Sequence, residues 1–266
     1  MSSSSASIDE QIADEIKRIA RDVIDWDKSE ATETGYKPHW KPRFATDGLR
    51  VERKRIVPID PQMYNDLQLS RGSTGNEKPD LNWEFTDPAT GVGNRREINE
   101  ERWNEFLKYN PVNPDVRLLD LGTRNGQFLY FLNSLGFSNT KGIDCVKLNS
   151  LWCQKNDMDV IHGDVHDLTQ HIEAESLDVV TAYHVFEHCY DPQKVINEMH
   201  KVLAPSGAVH IEIPIEKIDQ EHAHCYAFSR RELGKMLKKG GFTLVHTTHQ
   251  GRPWSGIERV VAKKNS

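Results

Sequence analysis

The sequence predicts an α/β fold, a mostly parallel sheet of seven strands with helices on both faces, preceded by an N-terminal arm of helix and loops. Three observations carry this prediction. From Val116 onward, apolar runs of strand length alternate with helical periodicities, the pattern of a parallel sheet wound with helices. The first run, within Val-Arg-Leu-Leu-Asp-Leu-Gly-Thr-Arg-Asn-Gly-Gln at residues 116–127, stops at a glycine turn, and a helix pattern (Phe128, Leu129, Phe131, Leu132, Leu135) begins at once. A second strand then ends in an acid, Asp144 of Lys-Gly-Ile-Asp, eighteen positions after Gly126.

The elements follow in order. Ser7 to about Lys28 carries Ile8, Ile12, Ile16, Ile19, Val23 and Ile24 at helical spacing behind a Ser7-x-x-Glu10 capping box, which reads as one amphipathic helix. The stretch to about Asn94 is rich in Pro, Gly, Asp and isolated aromatics such as Trp40, Tyr64 and Trp83, and reads as an arm or lid of loops and short helices. Residues 98–109, with Ile98, Trp103, Phe106, Leu107 and Tyr109, form a helix directly before Pro111. Strands are placed at 116–121, 140–144, 158–162, 177–183, 207–213, 242–247 and 257–262, the last two as a hairpin around Gly251 to Gly256. Helices are placed at 126–136, 147–155, 192–203 and 229–239. The chain therefore divides into an arm over residues 1–97 and a domain over 98–266.

Composition excludes several classes. In 266 residues, 37% hydrophobic and 28% charged, there is no apolar run long enough to span a bilayer and no signal-peptide pattern, so a cytoplasmic protein is expected without membrane attachment. Cys145, Cys153, Cys189 and Cys225 lack Cys-x-x-Cys spacing, so neither a disulfide framework nor a zinc knuckle is indicated. The net charge of −6 disfavours a nucleic-acid partner, because such partners are held by basic faces. Oligomeric state leaves no mark in the sequence.

The βαβ unit at 116–144 has the parts of a nucleoside site. Glycines admit close approach, the new helix offers unpaired N–H groups, and the acid after the second strand can accept bonds from a ribose diol. A dinucleotide fingerprint, Gly-x-Gly-x-x-Gly, is broken here, since the positions read Gly122, Arg124 and Gln127. An acid just ahead of the turn, Asp120, would repel a pyrophosphate and suits a ligand carrying an ammonium or sulfonium. With the later residues, the chain resembles the class I S-adenosylmethionine-dependent methyltransferases. Their first motif reads Asp-x-Gly-x-Gly-x-Gly, from which Arg124 departs. The resemblance covers residues 100–266 and implies a Rossmann-like sheet, S-adenosylmethionine as cofactor, and cofactor contacts at Asp120, Gly122, Arg124, Asn125 and Gly126, then at Asp144 and Cys145.

It also assigns the later strand ends. Gly163-Asp164-Val165-His166 follows the third strand, where the family's acid takes the adenine amino group and the next backbone meets a ring nitrogen, which implies Asp164 and Val165. The fourth strand delivers Tyr183, then His184-Val185-Phe186-Glu187-His188-Cys189-Tyr190-Asp191-Pro192, similar to the Glu-His-x-x-Asp-Pro block of small-molecule methyltransferases. Tyr183 and His184 are thereby placed near the sulfonium. Val202-Leu203-Ala204-Pro205-Ser206-Gly207 is similar to the family's turn before strand five. There is no Asn/Asp-Pro-Pro-Tyr and no Pro-Cys nucleophile, so the implied acceptor is a small molecule (sugar, phenol, carboxylate or amine) methylated on oxygen or nitrogen.

Histidine titrates near neutral pH, and histidines gather at this rim, so His224 is the first candidate general base and His184 and His188 the next. His184 and His188, spaced i, i+4, could share a helical face with Glu187 beside them, as a metal site would require. The same block occurs in metal-free relatives, so no metal is assigned. The alternative is a catalytically silent nucleoside-binding protein that engages a protein partner through its arm.

Overall fold

The computed structural model describes residues 6–15, 49–52, 55–58, 96–215, 226–252 and 255–265. Residues 8–15 are helical (α1), and the Ser7 amide and hydroxyl both donate to Glu10 Oε2, at 2.8 and 3.0 Å, closing the capping box. The remainder of that expected helix lies outside the described residues. Within the arm, Leu49–Glu52 (β1) and Arg55–Pro58 (β2) pair antiparallel, where loops and short helices were expected. The rest of the arm also lies outside the described residues.

Arg96–Tyr109 (α2) leads into Leu118–Leu121 (β3), Gln127–Ser134 (α3), Thr140–Asp144 (β4), Lys147–Lys155 (α4), Val160–His162 (β5) and Leu177–Tyr183 (β6). Pro192–Val202 (α5), Leu203–Ile215 (β7), Glu232–Lys239 (α6), Phe242–Arg252 (β8) and Ser255–Lys264 (β9) complete the order. Among the described residues β3 to β9 form a seven-stranded sheet ordered β5-β4-β3-β6-β7-β9-β8. The β8–β9 hairpin closes with Gly251 opposite Gly256 and supplies the antiparallel pairs, while β5 to β7 are parallel.

Side-chain alternation sorts the core into two layers. Leu118 and Val179 pack with Trp103, Phe106, Phe128 and Phe131 under α2 and α3, whereas Leu119, Leu121, Val180 and Ala182 pack with Val195, Ile196 and Met199 of α5. Asp191 caps α5 through its side chain and Pro192 occupies the first turn, a pre-organised start.

Several element ends differ from the sequence reading for local reasons. The first strand begins at Leu118 because Val116 N–H closes a turn onto Asn113 O at 3.1 Å. The third begins at Val160 because Met158 N–H bonds Cys153 O at the end of α4. The last helix starts at Glu232, not residue 229, because Ser229 spends its amide and hydroxyl on the Glu232 carboxylate as a cap and Arg231 is left-handed. The fifth strand is longer than expected, since Leu203 already pairs with Leu177 and a bulge absorbs the turn at Ser206.

Candidate active site

Parallel pairing aligns the carboxyl ends of β5, β4, β3 and β6, so the segments that follow them meet at one edge of the sheet, where the strand order reverses. The turn after β3 is fixed by Gly122 N–H on Ile143 O at 2.8 Å. Gly122 sits at φ +62°, and a Cβ there would meet Val185 Cγ2 at 2.7 Å; Gly126 sits at φ +80°, and a Cβ would meet Met158 Cε at 2.5 Å. Both adopt the left-handed backbone that glycine takes most easily, and at Gly122 the branched Val185 leaves no room for a Cβ. Arg124, where the family motif has glycine, also adopts a left-handed φ of 53°, held by its amide on Asp144 Oδ2 at 2.8 Å and by the Cys153 thiol on its carbonyl at 3.2 Å. Asn125 is buried beside it. The departure from the motif is therefore absorbed by two bonds from neighbouring elements.

Three carboxylates stand at successive strand ends. Asp120 is 4% exposed and receives the Thr181 hydroxyl at 2.7 Å; burial pushes its pKa up to about 7, opposed by that hydrogen bond and by Arg102. Asp144 takes the amides of Arg124 and Val146, both at 2.8 Å, and the Asn149 side chain at 3.2 Å. Asp164 caps the 3₁₀ turn Val165–Gln170 and accepts His166 Nδ1 at 2.6 Å; burial raises its pKa, but the His166 bonds outweigh this and hold it below the usual range. Val165 is buried, and Cys145, half-buried, lends its carbonyl to His162 Nε2 at 3.2 Å. These acids are acceptors at neighbouring strand ends, and they could hold a nucleoside through its ribose diol and an exocyclic amine.

At the end of β6 the structure joins Tyr183 and His184 to residues distant in the chain. Tyr183 lies under the Arg102 guanidinium at 4.6 Å from its ring centre, with its hydroxyl 2.9 Å from His210 Nδ1. His184 is left-handed, φ 56°, its amide donated to Glu212 O at 2.9 Å. Its Nδ1 is 3.2 Å from Glu187 Oε1 and its Nε2 is 3.0 Å from Glu212 Oε1. Glu212 also bonds Arg102 and Arg259, and Arg259 reaches Glu101 at 2.6 Å and Glu105 at 3.0 Å. Burial disfavours charge on Glu212, yet His184 and the two arginines hold its pKa well below the carboxylate range. Burial likewise opposes charging His184, and the hydrogen bonds and charges of Glu187 and Glu212 overcome it, raising its pKa to about 9. Glu212, Arg102 and Arg259 were missed by sequence reasoning because Arg102 and Arg259 lie 110 and 47 residues from Glu212 along the chain and each occupies an ordinary position in a strand or helix. Glutamate at a central strand position flanked by isoleucines was the one usable signal.

The helical face expected to unite His184 with His188 does not form. His184 leaves β6 in a left-handed conformation, and Phe186–His188 is a single 3₁₀ turn that buries His188, whose Nε2 is 3.6 Å from Glu187. Held between two carboxylates whose charges raise its pKa to about 9, His184 is poorly matched to the role of general base near neutral pH. His224 lies outside the described residues. Among the described residues no group of three or more His, Cys, Asp or Glu is placed to hold a metal ion, none of Cys145, Cys153 and Cys189 is in a disulfide, and no helix is long and apolar enough to cross a membrane.

Comparison with known proteins gives the family and the fold. Residues 92–247 match the family model described as a methyltransferase domain. Over 180 residues the chain is 26% identical to arsenite methyltransferase of Rattus norvegicus, an alignment covering 58% of this chain and 49% of that protein. The chain thus spans about half the length of this curated relative. Its fold is similar to a S-adenosylmethionine-dependent methyltransferase from Mesorhizobium loti (TM-score 0.52, 16% identity, 61% of this chain and 97% of the other). It is also similar to the cyclase SpnF (TM-score 0.58, 14% identity, 82% and 99%).

Proposed function

We propose that this chain, which belongs to the methyltransferase domain family, is an S-adenosylmethionine-dependent enzyme that methylates an oxygen or nitrogen of a small-molecule acceptor. The observation that supports the reading is the alignment of Asp120, Asp144 and Asp164 at neighbouring strand ends, beside a rim built from Tyr183, His184 and Glu187. S-Adenosylmethionine, when bound, supplies an electrophilic sulfonium methyl. Asp144 would hold the ribose hydroxyls with the acceptor capacity left beside its three protein donors. Asp164, with its carboxylate already oriented by His166, and the backbone of Val165 would hold the adenine. The turn from Gly122 to Gly126, with Asp120 behind it, would hold the methionine end.

Such a site acts mainly by alignment, which supplies on the order of 7–11 kcal/mol at best. A base contributes ~10²–10⁴-fold where the acceptor has a proton to lose, and that role falls to His224 rather than to His184. The net charge of −6 supports a small acceptor over a polyanion. The test is methyl-tritiated S-adenosylmethionine with purified protein and a fractionated cell extract. Label is expected in the low-molecular-mass fraction, and label confined to nucleic acid or protein would overturn the acceptor class.

A further inference from the structure

The Asp-Pro pair that ends the block after β6 has a task beyond starting α5. Asp191 caps that helix with its carboxylate, which accepts the Lys194 amide at 3.1 Å, and its own amide donates to His166 Nε2 at 3.4 Å. A ring nitrogen that accepts an N–H carries no proton, so the proton of the neutral imidazole sits on Nδ1. Nδ1 lies 2.6 Å from Asp164 Oδ1 and donates to it. The tautomer of His166 is thus set on one side by a backbone amide and used on the other by a carboxylate.

The surroundings hold the ring in that pose. The His166 side chain is fully buried, and the Tyr190 ring stacks on it at 3.8 Å and 15°. The His166 amide also donates to Asp164 Oδ1, at 2.9 Å. Both bonds therefore converge on one oxygen, and among the described residues no protein donor bonds Oδ2. Burial opposes ionisation of Asp164, but the His166 bonds outweigh it and keep the carboxylate charged and acceptor-only. Its side chain is 23% exposed at the carboxyl edge, two residues beyond β5, where Gly163 donates its amide to Asp144 O at 3.0 Å.

We propose that His166 is a positioning residue for base selection: locked by the Asp191 amide as an Nδ1 donor, it occupies Asp164 Oδ1 and leaves Oδ2 as a pure acceptor that admits a 6-amino purine and rejects a 6-oxo purine. The inference rests on the nucleoside reading above, in which Asp164 meets the base, and adds how the preference is enforced. An exocyclic amine donates to Oδ2, whereas a 6-oxygen sets two acceptors against each other and leaves both unpaired. Without the Nδ1 donor, Asp164 loses a bond that favours its charged form, and a protonated carboxyl can donate to a 6-oxygen.

Titration calorimetry of the full chain with S-adenosylhomocysteine and its 6-oxo counterpart, S-inosylhomocysteine, tests this. Wild type should prefer the adenine ligand by about tenfold or more. His166→Phe keeps a ring against Tyr190 without a donor and should cut that preference by about fivefold or more, while His166→Asn, whose amide replaces the Nδ1 donor, should hold it within about twofold. A side chain needed only for packing would weaken both ligands alike. An unchanged preference in His166→Phe, or its equal loss in both variants, therefore overturns the inference. Sequentially assigned histidine NMR of the wild-type chain reads the tautomer whether or not the variants fold. A proton on His166 Nδ1 and none on Nε2 is expected at pH 7, and the opposite tautomer overturns the inference. Equal binding of the two ligands by wild type overturns it as well, whereas binding of neither counts against the nucleoside reading it rests on.

Discussion

Glu212→Gln tests the view that one buried carboxylate organises the rim. Glu212 is 1% exposed and bonds three cations, Arg102 and Arg259 at 6% and 5% exposure and the half-buried His184. Glutamine keeps the shape and one acceptor oxygen but removes the charge, leaving two buried guanidiniums facing a neutral amide. Breaking a buried ion pair from one side costs about 3–5 kcal/mol, and each kcal/mol shifts Tm by roughly 2–4 °C at this size, so a fall of about 10 °C is expected. Asp159→Asn is the control, since its partner Lys141 is 3.0 Å away but the side chains are 57% and 51% exposed, and such pairs contribute about 1 kcal/mol or less. Thermal denaturation followed by circular dichroism at pH 7 measures both. The pH dependence gives a second check. Glu212 has a depressed folded pKa, so its contribution is present above the unfolded value of about 4.3 and fades as pH falls below it. The gap between wild type and Glu212→Gln should therefore narrow in acid. A Glu212→Gln shift no larger than that of Asp159→Asn would refute the clustering argument.

Three further outcomes are expected. Asp144→Ala should weaken binding of S-adenosylhomocysteine by about tenfold or more in titration calorimetry while the far-ultraviolet spectrum stays native, and unchanged affinity would end its assignment to the ribose. Gly126→Ala should lower Tm and cofactor affinity together, because its φ of +80° strains any side chain and Met158 must shift to admit a Cβ 2.5 Å from its Cε; a fully stable variant would show that the turn can move. Asp120 has a folded pKa raised to about 7, so the folded state retains a proton that the unfolded chain releases above about 3.9. Stability should fall as pH rises between those values, and Asp120→Asn should flatten that slope in urea denaturation; parallel slopes would contradict it.

The βαβ unit and most of the sheet were legible in the sequence because their signals are local. Strand-length apolar runs, a glycine turn and helical spacing each lie within a window of a dozen residues, and β4, β6 and α4 begin and end where the pattern placed them. The acids Asp120, Asp144 and Asp164 were noticed for the same reason, since each lies within two residues of a strand's carboxyl end. Arg124 read as a defect in the glycine motif, and the structure shows instead a left-handed residue tied down by Asp144 and Cys153, which lie 20 and 29 residues away.

Local periodicity thus fixed the order of strands and helices and the carboxyl-edge location of the acids, since backbone geometry repeats every two or 3.6 residues. Only the tertiary structure decided which charges surround His184. Its spacing from His188 suggested a shared helical face and a free base, but a protonation state depends on which charges burial brings within hydrogen-bond reach. Here those charges come from Glu212 on β7, supported by Arg102 on α2 and Arg259 on β9, three positions that become neighbours only when the sheet and its first helix are packed together.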